Sequence, residues 1–226
     1  MAYGDPLNMM TNIEGLYAFG EVNYAYHGAT RLGANALLSC IFDGLFCGLG
    51  LVNRVNDADI TAAADLPQAE YDRVIAQEEA KSKALIDSAG TGDDPQTNAY
   101  VIGREMGEEM TAASTVVKTE ARLEQCLTKL AELRDRYSRV RLSDTATWTN
   151  QSLSYSRAVG DMLILAEAIA KAGLLRRESR GSHYREDYQD RDDANFWKAS
   201  VSRFNPADGV ADVSFEEVNA GLVEPR

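Results

Sequence analysis

Apolar positions recur with a helical period over most of the chain. In "KTEARLEQCLTKLAELRDRYSRV", Leu123, Leu127, Leu130, Leu133 and Tyr137 step by four, three, three and four, which is one stripe of a helix. "NQSLSYSRAVGDMLILAEAIAKAGLLRRE" predicts a second long helix with Met162, Leu165, Ile169 and Ala172 on one face. "AEYDRVIAQEEAKSKALIDSA" reads as a surface helix that turns Tyr71, Ile75 and Leu85 to the core, and "TNAYVIGREMGEEMTAAS" as a further helix. Helices with single apolar stripes must bury them on one another, so residues 69–176 are expected to form an antiparallel three- or four-helix bundle. Nearer the start, the run from Ala34 to about Val52 is almost continuously apolar and predicts a buried core helix.

Two regions alternate with the period of a strand. "GLYAFGEV" (15–22) reads as a short buried strand bounded by glycines, followed by a loop, "YHGATRLG", punctuated by Gly28 and Gly33. "FWKASVSRF" and "VADVSFEEV" alternate apolar and polar positions with "NPADG" between them, which predicts a β-hairpin near 196–218. Residues 53–68 read as a linker ending at Pro67, 88–96 as a flexible loop, and "SRGSHYREDYQDRDD" as a polar irregular stretch. The fold class is therefore α+β, mostly α. Its segments are a strand plus buried helix (1–55), the bundle (69–176) and a small α+β tail with the hairpin (177–226).

Charge and cysteine content narrow the partners. The chain has 226 residues and a net charge of −12, so phosphate backbones and anionic membrane surfaces are repelled, and nucleic-acid binding is not expected. Three scattered cysteines, Cys40, Cys47 and Cys126, do not make a disulfide framework. The start, "MAYGDPLN", has neither the basic nor the apolar region of a signal peptide. "ALLSCIFDGLFCGLGLV" is 17 residues long and contains Asp43, which is short and costly for a spanning helix.

Self-contained catalytic sets are not evident. The two histidines, His27 and His183, are far apart, no histidine–cysteine spacing suggests a metal site, and no G-x-S-x-G occurs. "GLGLVN" (48–53) has Asn53 where a dinucleotide fingerprint needs its last glycine, and it ends a helix. The stretch "GEVNYAYHGATRLGANALLSCIFDGLFCG" (20–48) remains. Glu21 at a strand end can accept hydrogen bonds from sugar hydroxyls, Arg31 offers a donor fork for a carboxylate, and the helix start directs N–H groups toward the same place. Taken one by one, such a glutamate or arginine is usually a surface charge and a lone histidine usually a packed one, so the residues alone define a candidate ligand crevice.

The same stretch resembles the flavoprotein subunit of succinate dehydrogenase and fumarate reductase. That family carries G-L-[YF]-A-x-G-E and H-G-[AG]-N-R-L-G-[AS]-N-S-L. Here the two segments stand as Gly15-Leu16-Tyr17-Ala18-Phe19-Gly20-Glu21 and His27-Gly28-Ala29-Thr30-Arg31-Leu32-Gly33-Ala34-Asn35-Ala36-Leu37. "DTATWTNQSLSYSRAVGDML", the "RRESRGSHYREDYQDRDDANF" stretch and the closing "VEPR" are similar to the family as well, so the resemblance covers essentially the whole chain. The six residues between Glu21 and Gly28 are similar to a branch found in many Gram-positive and related bacterial enzymes.

The resemblance implies that Glu21 holds FAD, that Arg31 clamps a dicarboxylate, and that Ala36 and Leu37 approach the flavin ring largely through backbone. Thr30 and Ala36 depart from the family's usual asparagine and serine. It also implies that 1–55 is an incomplete FAD-binding domain. The dinucleotide fingerprint, the histidine that carries FAD, the capping domain and the proton-delivering arginine would lie upstream, which leaves no catalytic residue in this stretch. The chain would then be a C-terminal piece, inactive alone. The complete subunit would exchange a hydride between succinate or fumarate and FAD, and pass electrons to an iron–sulfur subunit and a membrane anchor. It would sit peripherally on the cytoplasmic side of the inner membrane, without a transmembrane segment. L-aspartate oxidase shares the HGANRL-type and "SRG-x-HY" segments but generally lacks the long C-terminal hairpin. A non-enzymatic helical interaction module is the reading from a different class.

Overall fold

The computed structural model describes residues 2–23, 27–57, 67–88, 94–218 and 221. They form two compact units, Met1–Asp72 and Arg73–Arg226. Most of the 53–68 linker, most of the 88–96 loop and the closing "VEPR" lie outside the described residues.

In the first unit, α1 (Gly33–Val55) buries a narrow stripe of small or polar residues: Ala36, Ser39, Asp43, Cys47 and Gly50. Small side chains let the preceding segment cross the helix at backbone distance. A Cβ on Gly50 would stand 2.3 Å from the Asp5 carbonyl oxygen, and Asn53 donates through Nδ2 to the Gly4 carbonyl at 2.8 Å. Two expectations fail here. The 15–22 segment is not a strand: an isolated bridge joins Met10 to Tyr17, and a 3-10 turn follows at Gly20–Val22. Among the described residues of this unit no neighbouring strand is available to pair with it, and Gly20 bends the chain at φ +74°. Nor is α1 a fully buried core helix, since Leu37 and Leu45 are both 73% exposed and Leu38, Ile41 and Phe42 are exposed as well. By length and composition alone α1 could cross a membrane, but a fully buried aspartate at its middle is a costly group to carry into lipid.

The second unit is built on α3 (Ala99–Ser114), α4 (Glu120–Tyr137) and α5 (Gln151–Leu175). Each starts at a side-chain cap: Asn98 accepts from the Tyr100 N–H at 2.8 Å, Thr119 from Arg122 at 3.3 Å and Asn150 from Leu153 at 2.8 Å. The core joins Ile102 and Met106 of α3, Leu123, Leu130 and Leu133 of α4, and Val159, Leu163 and Ala170 of α5. The α4 stripe stands as expected, with Leu127 and Tyr137 packed at its margin. On α5 the buried face is a different one: Val159, Leu163, Ala166 and Ala170 point inward, while Leu165 and Ile169 are exposed. Glycine decides this face, because a Cβ on Gly160 would meet the Tyr137 hydroxyl oxygen at 2.5 Å. The remaining helix, α2 (Gln68–Asp87), has no buried residue; Tyr71 and Ile75 are exposed against expectation and only Leu85 reaches the core.

The tail folds back on the bundle. β1 (Val117–Lys118) pairs in parallel with β2 (Tyr184–Arg185). A short α6 (Asp193–Phe196) leads into the antiparallel pair β3 (Lys198–Asn205) and β4 (Val210–Glu217), registered from Lys198 opposite Glu217 to Asn205 opposite Val210. The hairpin thus lies where the alternation placed it. Lys171 of α5 donates to the Ala211 carbonyl at 2.8 Å and ties the hairpin to the bundle.

Candidate functional site

The head of α1 gathers the residues that the sequence singled out. Gly20 is seated against α1, where a Cβ would meet the Cys40 sulfur at 2.6 Å, and its N–H donates to Oδ2 of the buried Asp43 at 2.6 Å. The Asn23 N–H returns to the Gly20 carbonyl at 3.0 Å and closes the turn that carries Glu21. From the other side, the loop through Gly28 delivers Arg31 just before α1 begins. Arg31 donates through Nη1 to the Glu21 carboxylate in a partly solvated ion pair.

The predicted acid and arginine are therefore brought into direct contact. Leu32 provides no side-chain cap, so the first-turn N–H groups of α1 lack a side-chain acceptor. Ala36 is buried and donates its N–H to the Leu32 carbonyl at 3.2 Å, whereas Leu37 is exposed. Half-buried His27 and Thr30 share the loop, and the buried Thr30 hydroxyl has no hydrogen-bond partner among the described residues.

This chemistry fits one edge of a flavin and carboxylate site. It offers an anionic acceptor for hydroxyl groups, helix N–H groups for a partly negative oxygen, a guanidinium for a carboxylate and an orphan hydroxyl beside it. The thiol of Cys47, one turn beyond Asp43, is pushed up by burial and by the Asp43 charge.

A second polar centre was not anticipated, because 179–193 read as irregular. Glu178 is fully buried and accepts from Arg176 at 2.7 Å, from Arg180 at 2.8 Å through both oxygens, and from the Asp192 N–H at 2.9 Å. Burial alone would raise its pKa; the hydrogen bonds from Arg180, Asp192 and Arg176 outweigh burial and hold it low. Arg185, also fully buried, donates to the Gly173 and Leu174 carbonyls at 2.8 and 3.1 Å and pairs with both Asp187 oxygens at 2.8 and 2.9 Å. Asp187 in turn accepts the Glu120 N–H at 2.7 Å. A cation thus closes the C-terminus of α5 and an anion the N-terminus of α4, each matched to the helix dipole it faces. The Arg185 hydrogen bonds hold the Asp187 carboxyl down to about 2. Burial lowers the pKa of His183, whose Nε2–H donates to the Arg176 carbonyl at 3.1 Å. The signal in the sequence is opposite charges two residues apart, in Arg176-x-Glu178-x-Arg180 and Arg185-x-Asp187.

Solved structures share this mostly helical α+β architecture. A chain of Escherichia coli quinol fumarate reductase FrdA superposes with a TM-score of 0.81 at 32% identity, over 97% of this chain and 36% of that one. Coverage of 97% leaves no room for the 23-residue α1 to fall outside the match. A chain of the Mycobacterium smegmatis Sdh1 complex gives 0.73 at 28% identity, over 92% and 34% of the two chains. Adenosine-5-phosphosulfate reductase, 16% identical with a TM-score of 0.67, shares the fold alone.

Residues 103–226 match the model described as fumarate reductase flavoprotein C-term, and the chain belongs to that family. The Bacillus subtilis succinate dehydrogenase flavoprotein subunit is 36% identical over 219 residues, which are 97% of this chain and 36% of that protein. The Escherichia coli fumarate reductase flavoprotein subunit is 33% identical over 221 residues, 96% of this chain and 35% of that protein. The chain thus spans about a third of the length of the curated relatives it matches.

Proposed function

We propose that this chain is the C-terminal region of an FAD-dependent flavoprotein subunit that interconverts succinate and fumarate. The observation that carries the reading is the meeting of Glu21 and Arg31 at the uncapped head of α1. In the complete subunit Glu21 accepts hydrogen bonds from hydroxyls of FAD. The start of α1 at Ala36 and Leu37 approaches the flavin ring, largely through backbone. Arg31 binds one carboxylate of the dicarboxylate through its donor fork, which orients the substrate and draws electron density toward that carboxylate. FAD, when bound, supplies the acceptor or donor of the hydride.

On this reading residues 1–55 complete an FAD-binding domain that begins upstream, 69–176 are its helical-bundle domain and 177–226 a C-terminal tail. The complete subunit hands electrons to an iron–sulfur subunit and through it to a membrane anchor, and lies peripherally on the cytoplasmic side of the inner membrane. The described hairpin at 198–217 supports this assignment over an L-aspartate oxidase-type enzyme. The test is a dye-reduction assay on the complete subunit with each substrate. Turnover of succinate and none of L-aspartate is expected; the reverse preference contradicts the reading.

A further inference from the structure

Asp43 is the one charged side chain in the buried stripe of α1, and it is 0% exposed. Its Oδ2 accepts the Gly20 N–H at 2.6 Å, a short contact for an N–H donor and a carboxylate. The residue it holds is the one that turns the chain. Gly20 has φ +74° and no room for a Cβ beside Cys40, so the backbone can occupy this seat only as glycine. Glu21 follows directly, in a turn closed by the Asn23 N–H on the Gly20 carbonyl. Arg31 enters the same helix from its N-terminal side, two residues before Gly33. Both members of the Glu21–Arg31 pair are therefore referenced to α1: Arg31 through the chain, and Glu21 through the Asp43 hydrogen bond.

We propose that Asp43 is a positioning residue that sets Glu21 against Arg31 through the Gly20 N–H. For its functional consequence this rests on the roles given above to Glu21 and Arg31. Asp43 touches neither ligand. It fixes the spacing between the acid assigned to FAD and the arginine assigned to the dicarboxylate. An acceptor of the right length is what the position requires. Asparagine offers such an acceptor to the Gly20 N–H, whereas alanine and serine do not reach it.

The experiment follows the Arg31 Nε–Hε resonance by NMR in this chain, with no FAD or dicarboxylate present. Glu21→Gln, which removes the charge that Arg31 pairs with, defines the resonance of the unpaired guanidinium. Asp43→Ala is expected to move the wild-type resonance most of the way to that position and to add no further shift in a Glu21→Gln background. Asp43→Asn is expected to leave it near the wild-type position. If the alanine variant does not accumulate, Asp43→Ser takes its place in both backgrounds. An Arg31 resonance unmoved by Asp43→Ala, or equal shifts with and without the Glu21 charge, overturns the positioning role. Loss of folded protein from both the alanine and serine variants makes Asp43 a folding residue and overturns it as well. The measurement involves no ligand, so it can fail while the succinate assay succeeds, and the reverse.

Discussion

Glu21 and Arg31 could be singled out because Glu21 follows Gly20 and Arg31 lies on the loop between Gly28 and Gly33, but their roles came from the motif resemblance and not from either residue alone. Asp43 could not be singled out, since a carboxylate inside an apolar run reads only as a cost until its donor is known. The same holds for Glu178 and Arg185, which are fully buried in a stretch whose composition is that of a solvated loop. Burial of a charge depends on partners that only the fold supplies. One consequence at this scale is measurable by acid titration. Asp187 has an ordinary value of 3.8 and is held at about 2 in the folded chain. A carboxyl depressed by folding contributes stability that is complete above its unfolded pKa and is lost as pH falls through the folded one. The stability advantage of the wild type over Asp187→Asn, measured by denaturant unfolding, is therefore expected to shrink between about pH 4 and pH 2. A difference that stays constant across that window contradicts the assigned pair.

Among the elements, α4 and the hairpin could be read directly, the first because its apolar residues make one stripe and the second because alternation and turn residues agree. The inward face of α5 could not. Apolar residues run all round "MLILAEAIAKAGLL", and the choice between faces falls to Gly160, which admits the Tyr137 hydroxyl where a Cβ would stand 2.5 Å from it. Besides Lys171, Arg176 docks the hairpin. Its guanidinium donates to the Phe196 and Lys198 carbonyls at 3.0 and 2.6 Å and lies 5.7 and 5.3 Å from the Phe196 and Phe215 rings. Arg176→Ala also strips a partner from buried Glu178, so a loss of about 2–4 kcal/mol is expected, with faster proteolysis in the 205–209 turn. Unchanged stability would show that the hairpin is held by other contacts. For α1, exposed side chains such as Ile41, Phe42 and Leu45 each forgo about 1.5–3 kcal/mol of burial. Amide exchange in α1 of this chain alone is therefore expected to be much faster than in α4. Equal protection of the two helices would refute the idea that α1 awaits further burial.

For the whole molecule, charge and the pattern of apolar positions limited the answer to an acidic, mostly helical α+β protein, and the motif resemblance supplied the family. No single-sequence pattern announced the interleaving of the tail with the ends of α4 and α5, because a two-residue parallel pair such as β1–β2 has no periodicity to detect. Among the described residues there is no glycine-rich strand–turn–helix to cradle the phosphates of FAD. This chain alone, mixed with FAD and succinate, is therefore expected to reduce no dye, and turnover by it would contradict the division of labour proposed for the complete subunit.

The most direct measurement compares Arg31→Lys with Glu21→Ala in the complete subunit, by flavin absorbance and steady-state kinetics. Lysine cannot reproduce the planar donor fork, so Arg31→Lys is predicted to keep its flavin while kcat/KM falls about a hundredfold, or about 3 kcal/mol. Glu21→Ala is predicted to lose flavin first. Flavin lost from Arg31→Lys and retained in Glu21→Ala would contradict the account.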